Sequence, residues 1–215
     1  MRRVGIIGGM GPEATVALMQ RVIALVPARD DADHVPLIVD QNTQVPSRIA
    51  YLIEGRGDDP GPVLVGMARR LEAAGAEAVA MPCNTAHHWA GEIAGAVGVP
   101  FLDMVGMTLA RVPGRVGVLA SPAVRIAGVY AARREGVVHH GEEGALLDLI
   151  RRVKREGATE AARAEFARLV RGLGTERVIV ACTEFSLLAG AAPDGVEVVD
   201  SLDVLARAIV EFAHG

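Results

Sequence analysis

Cysteine occurs twice in these 215 residues, and both copies stand in near-matching frames, Met81-Pro82-Cys83-Asn84-Thr85 and Val180-Ala181-Cys182-Thr183-Glu184. Each follows a short apolar run of β character, Glu77 to Met81 and Arg177 to Val180. A thiol held between a strand's end and a helix's first turn meets unpaired backbone N–H groups and the positive end of the helix dipole, and both favour thiolate. Two such thiols facing one substrate are equipped to take a proton from one side of a carbon and return one on the other. That is the least a racemase or epimerase needs. Two plainer readings stand beside it. Free cysteine is among the most buried residue types, so both are candidates for core packing. A structural disulfide would require an oxidising compartment. The polar, turn-forming company of Asn84, Thr85, Thr183 and Glu184 favours chemistry over core.

Other residues could serve such a site. Gly9-Met10-Gly11-Pro12-Glu13-Ala14 matches the G-x-G-x-x-A form of the dinucleotide fingerprint, after a strand pattern and before a helical one. It supports an alternative, an NAD(P)- or flavin-type oxidoreductase. Against that alternative, Pro12 removes a backbone N–H that a pyrophosphate would use. The best ribose-binding acid, Asp40, runs into the polar pair Gln41-Asn42. An anion site for a carboxylate explains the turn equally well. Asn42-Thr43-Gln44-Val45-Pro46-Ser47-Arg48 also follows a strand pattern, which places its polar groups at the sheet edge where α/β proteins bind ligands. There Arg48 is either a bidentate carboxylate holder or a solvated surface arginine. Cys83, His87 and His88 invite a metal reading, but no second ligand pair at metal-like spacing accompanies them. No metal is expected, and His87 or His88 is read as tuning the Cys83 helix end or packing. His139-His140 is read as loop.

The elements that must position these groups follow from apolar periodicity. Strands are expected at 4–7, 37–40, 78–81, 116–119, 178–181 and 196–199, and helices at 14–26, 63–74, 85–97, 123–132, 146–155, 161–173 and 201–212. Such alternation reads as a mostly parallel sheet covered on both faces. A weak internal repeat refines this. Arg3-Val4-Gly5-Ile6-Ile7 before a Gly/Pro turn is echoed by Arg115-Val116-Gly117-Val118-Leu119 before Ala120-Ser121-Pro122, and the cysteine frames recur in the same order. Two similar lobes with a cleft between them are expected. The Gly/Pro-rich stretch 54–62 is either an exposed connection or a lid near that cleft.

Composition narrows the classes. Apolar residues make up 51% of the chain and aromatics 3%, so Ala, Val, Leu and Ile must build the core. The net charge of −4 comes from interspersed acids and bases with no basic tract, which argues against a nucleic-acid partner. Pro12 and Glu13 interrupt the apolar start too early for a signal peptide, and no run approaches the roughly 18 apolar residues of a membrane span. A cytoplasmic protein with reduced thiols and no membrane partner is expected.

With these residues in view, the chain resembles the cofactor-independent aspartate/glutamate racemase family, in its aspartate racemase branch. The resemblance is carried by Gly8-Gly9-Met10-Gly11-Pro12, Asn42 to Arg48, Met81-Pro82-Cys83-Asn84-Thr85-Ala86-His87 and Cys182-Thr183-Glu184. It implies two similar Rossmann-like α/β lobes related by a pseudo-twofold, residues 1–103 with a returning helix at 201–215 and residues 104–200, with the active site between them. It implies no cofactor, a small amino-acid substrate and a homodimer. Cys83 and Cys182 become the paired acid/base thiols. Met10, Asn42, Gln44, Asn84, Thr85, Thr183 and Glu184 become substrate contacts, with Arg48 and Lys154 reaching a second carboxylate. Aspartate is the first expected substrate and glutamate the second. Ala181 stands where the family usually has Gly, and Ser47 where Asp is common, so substrate choice is less determined than reaction type. A non-catalytic small-ligand binding protein of the same shape would need no reactive thiol.

Overall fold

Val4–Gly8 is apolar or glycine throughout and buried at every position, the pattern of a strand covered on both faces of a parallel sheet. The computed structural model describes residues 1–215. In chain order its elements are β1 Val4–Gly8, α1 Pro12–Leu25, β2 Leu37–Gln41, α2 Arg48–Leu52, α3 Gly61–Ala73, β3 Ala78–Ala80, α4 Ala90–Gly95, β4 Phe101–Leu102 and α5 Met104–Ala110. There follow β5 Val116–Ala120, α6 Pro122–Ile126, β6 Val137–His139, α7 Glu143–Glu156, α8 Glu160–Gly172, β7 Arg177–Ala181, α9 Thr183–Ser186, β8 Glu197–Asp200 and α10 Ser201–His214. They group into two units, Met1–Met107 with Leu202–Gly215, and Thr108–Ser201.

Each unit holds a four-stranded, all-parallel sheet, ordered β2-β1-β3-β4 in the first and β6-β5-β7-β8 in the second. The expected α/β fold with two similar lobes is the fold found. In both sheets the chain leaves the first strand toward one edge and comes back to its other side for the third. The crevice outside the C-terminal ends of the first and third strands is therefore the topological switch point, where open α/β sheets bind ligands. Cys83 lies three residues past β3 and Cys182 immediately follows β7, so each cysteine lies at the switch point of its own sheet.

In the first unit, α1 and α10 cover one sheet face: Leu18 and Val22 pack with Leu205, Ala206 and Ile209 over Val4 and Ile6. On the other face Leu64, Met67 and Leu71 of α3 pack with Met81, Trp89 and Ile93. In the second unit Leu149 and Val153 of α7 and Phe166 and Leu169 of α8 close over Val178 and Val180. Burial of this kind is the main force holding each sheet to its helices. No helix is long and apolar enough to cross a membrane.

The structure departs from the periodicity reading in several places, and the short helices α2, α5 and α9 are absent from that reading. The helix expected at 123–132 stops at Ile126, because Gly128 takes φ +66° and the Val129 N–H closes back on the Val124 carbonyl at 3.2 Å, a Schellman stop. The helix expected at 85–97 begins as a 3₁₀ turn over Thr85–Trp89 and becomes α only at Ala90. His139, read as loop, belongs to β6 and pairs with Val118, while His140 is buried just beyond it. β4 is only two residues long and leaves no periodic signal. Residues 54–59 are an exposed connection.

Candidate active site

The turn after β1 is built by glycine. At Gly9, φ is +92° and a Cβ would fall 2.3 Å from the Asn42 carbonyl oxygen, so only glycine lets the two backbones meet. Its N–H donates to Thr15 Oγ1 at 3.0 Å. Met10 follows, with a cis peptide to Gly11, and its side chain is buried with Ile7, Val45 and Met67. Met10, expected as a substrate contact, is buried, 7% exposed as a whole residue. Asn42 Oδ1 accepts the Gln44 N–H at 2.9 Å, a local turn that bends the chain after β2, and the Gln44 side chain is exposed.

That bend delivers Arg48. Ser47 caps α2 by accepting the Ala50 N–H at 3.2 Å. The half-buried Arg48 donates from Nη1 to the Pro46 carbonyl at 3.0 Å and the Val45 carbonyl at 3.4 Å. Anchored by its own loop, its positive charge acts on the Cys83 thiol. Its surroundings are thus not those of a solvated surface arginine.

Cys83 and Cys182 are both free and partly buried. Burial pushes the Cys83 thiol up. The Arg48 charge and the backbone N–H groups of Ala86 and Thr85 oppose that rise. The sequence reading placed a helix dipole here; a five-residue 3₁₀ turn supplies instead individual N–H donors near the sulfur. Asn84 precedes that turn and Thr85 opens it, both half-buried. His87 is buried, and its Nδ1 lies 2.8 Å from the Cys83 carbonyl, which can only accept, so Nδ1 carries a proton. The ring packs on Phe101 with centroids 5.6 Å apart, and Nε2 stands 3.8 Å from Asp103 Oδ1. His87 thus holds the Cys83 backbone, and His88 is exposed beside Trp89.

At Cys182 the charge has the other sign. The thiol donates to Glu184 Oε2 at 2.9 Å, and Glu184 Oε1 lies 3.2 Å from Lys154 Nζ on α7. Burial and the adjacent carboxylate push this thiol well up, against the N–H groups of Glu184 and Phe185. Thr183 opens α9, a helix of four residues and so too short for a strong dipole. Lys154, expected to reach a substrate, is engaged by Glu184 in this structure.

Sequence reasoning missed Thr15, the Arg48–Cys83 juxtaposition and the Cys182–Glu184–Lys154 chain. Only the two-residue spacing of Cys182 and Glu184 could have hinted at the last. Asp40, the candidate ribose acid, is held by Arg70 at 2.7 and 3.1 Å, which further weakens the dinucleotide reading. Across the chain no three His, Cys, Asp or Glu side chains gather as a metal-holding group.

A family model described as Asp/Glu/Hydantoin racemase matches residues 7–209. Among curated proteins the chain is similar to a broad specificity amino-acid racemase of Bacillus subtilis (strain 168), 26% identical over 221 residues that span 96% of each chain. Among solved structures it is similar to the aspartate racemase of Picrophilus torridus, at 28% identity and a TM-score of 0.85, covering 100% of this chain and 95% of that one. It is also similar to an aspartate racemase homologue from Pyrococcus horikoshii OT3, at 25% identity and a TM-score of 0.76, with 100% of both chains covered.

Proposed function

The chain belongs to the Asp/Glu/Hydantoin racemase family, and from that premise we propose that this amino-acid racemase interconverts L- and D-aspartate through Cys83 and Cys182, without a cofactor. The observation that carries the reading is that the chain's only two cysteines each stand at the switch point of a sheet, beside backbone N–H donors. In the proposed reaction one thiolate removes the α-proton and becomes a thiol. The other thiol gives its proton to the opposite face of the carbanion and becomes thiolate. The α-proton of an amino acid is very weakly acidic, so the carbanion's charge must be met by fixed dipoles in a water-poor site, where they act strongly.

Aspartate is favoured by the likeness to the Picrophilus torridus enzyme and by Arg48, a half-buried cation set beside Cys83. Glutamate is second. The Bacillus subtilis relative's broad specificity supports a further reading, several amino acids turned over at one site, and the pairing of Lys154 with Glu184 agrees with a pocket less committed to two carboxylates. A homodimer, which the family resemblance implies, and a cytoplasmic location, in keeping with two free cysteines, belong to the same proposal.

The test is proton NMR of L-aspartate, L-glutamate and L-alanine in deuterated buffer with reductant and no added cofactor. Loss of the α-proton signal, abolished in both Cys83→Ala and Cys182→Ala, is the expected result. Persistence for all three amino acids would refute the substrate reading. Undiminished exchange in either cysteine variant would refute the two-thiol mechanism.

A further inference from the structure

The two thiols have opposite electrostatic partners. The charged group acting on Cys83 is Arg48 of α2, while His87 on the following turn directs Nδ1 to the Cys83 carbonyl. The charged groups around Cys182 are Glu184 of α9 and, behind it, Lys154 of α7. A carboxylate oxygen only accepts hydrogen bonds, so a 2.9 Å contact between Cys182 Sγ and Glu184 Oε2 needs one proton between them. Lys154, 3.2 Å from the other oxygen, favours the ionised carboxylate and so leaves that proton on sulfur.

We infer that Glu184 is a positioning residue that keeps the resting proton on Cys182, so that Cys83, beside Arg48, is the thiol that ionises first and acts first as base. This rests on the two-thiol reading above and deepens it by assigning the starting roles. A turnover from the resting form leaves Cys83 as thiol and Cys182 as thiolate against Glu184. The cycle closes when solvent returns a proton to Cys182 and takes one from Cys83. In that state two anions are adjacent, and Lys154 is the group that offsets them.

Steady-state kinetics is a poor probe of the assignment. The enantiomers have equal free energy, so kcat/KM is bound to be equal in the two directions. Thiol titration reads it directly. The protein is alkylated with iodoacetamide across a pH series and the rate at each cysteine is followed by peptide mass spectrometry. Midpoints are compared rather than rates, so that access to each thiol cancels. The midpoint at Cys83 should lie below that at Cys182. Glu184→Gln should lower the Cys182 midpoint and speed its alkylation about tenfold at a pH below that midpoint, since a charge within ~4–6 Å shifts a titration by about one unit or more. Lys154→Met should move the Cys182 midpoint the other way, which loss of packing alone would not do. A Cys182 midpoint at or below that of Cys83 would overturn the inference, as would one unmoved by Glu184→Gln in a protein folded by circular dichroism. Should Glu184→Gln not fold, an unmoved or lowered midpoint in Lys154→Met overturns it instead. Correct midpoints without α-proton exchange would sink the racemase reading and leave this assignment standing. Exchange with the wrong midpoints would do the reverse.

Discussion

Arg48→Met separates the two jobs proposed for one guanidinium. Methionine keeps much of the apolar stem and removes the charge. Structurally the change forfeits one well-placed hydrogen bond, to the Pro46 carbonyl at 3.0 Å, and one long contact to Val45 at 3.4 Å, so a loss of about 1 kcal/mol is expected. That is too little to unfold a domain with cores of this size. Electrostatically the change is larger. With the guanidinium gone, only the Ala86 and Thr85 N–H groups still oppose burial at Cys83, and its titration should rise by about one unit or more. One unit is about 1.4 kcal/mol and about tenfold in thiolate at any pH below the midpoint. Alkylation at Cys83 should therefore slow about tenfold near neutral pH and recover in alkaline buffer. α-Proton exchange of L-alanine should follow the same curve, because only the base has been weakened. Exchange of L-aspartate should stay depressed in alkali as well, because the proposed partner of its side-chain carboxylate is gone. An unshifted Cys83 profile in folded Arg48→Met would refute the electrostatic argument. Full alkaline recovery with aspartate would refute the carboxylate role.

Two further expectations follow from geometry outside the thiols. Gly9→Ala drives a methyl group to 2.3 Å from the Asn42 carbonyl oxygen at φ +92°, where the left-handed backbone alone costs about 1–2 kcal/mol; a loss of at least about 2 kcal/mol in urea unfolding, together with most of the activity, is expected, and an unchanged midpoint would show that the two turns need not touch. His140 is held below its ordinary titration range by burial, and its Nδ1 accepts the Glu142 N–H at 3.0 Å, so folding favours the neutral ring. The unfolded chain then binds the extra proton, and stability present above about pH 6.5 is lost as pH falls from there toward the lowered folded value. Melting temperature should drop between pH 7.5 and 5 more steeply in the parent than in His140→Gln, and equal slopes would refute it; His139, also lowered chiefly by burial, adds the same sign to both proteins.

The fold was readable where the chain repeats a strong local pattern. β1, β2, β5 and β7 are each five residues with three or more apolar ones, and parallel sheets in two similar lobes follow from strand–helix alternation with two copies of one motif, whereas the order of the strands within each sheet is seen only in the fold. Elements set by a single distant partner were not readable. β4 exists only because Phe101 and Leu102 lie along Val79 and Ala80. β6 carries a histidine into the sheet because Val118 is there to pair with it. The helix expected at 123–132 fails at one glycine whose left-handed turn no apolar period reports.

The site shows the same division, with a chemical consequence. A strand-to-helix cysteine in sequence speaks for thiolate, and the N–H donors are indeed in place at Thr85, Ala86, Glu184 and Phe185. Burial, which no local spacing reports, outweighs them at both sulfurs. What then distinguishes the two thiols is their tertiary company, an arginine from a loop far back in the chain at one and a carboxylate steadied by a lysine from another helix at the other. Cysteines in similar strand-to-turn frames of the sequence thus become inequivalent groups in the fold. Under the proposed two-thiol reaction, substrate and product are mirror images while the two thiols differ before any substrate arrives. On the proposed assignment the proton starts on Cys182, held there by its carboxylate neighbour, while the guanidinium favours ionisation at Cys83.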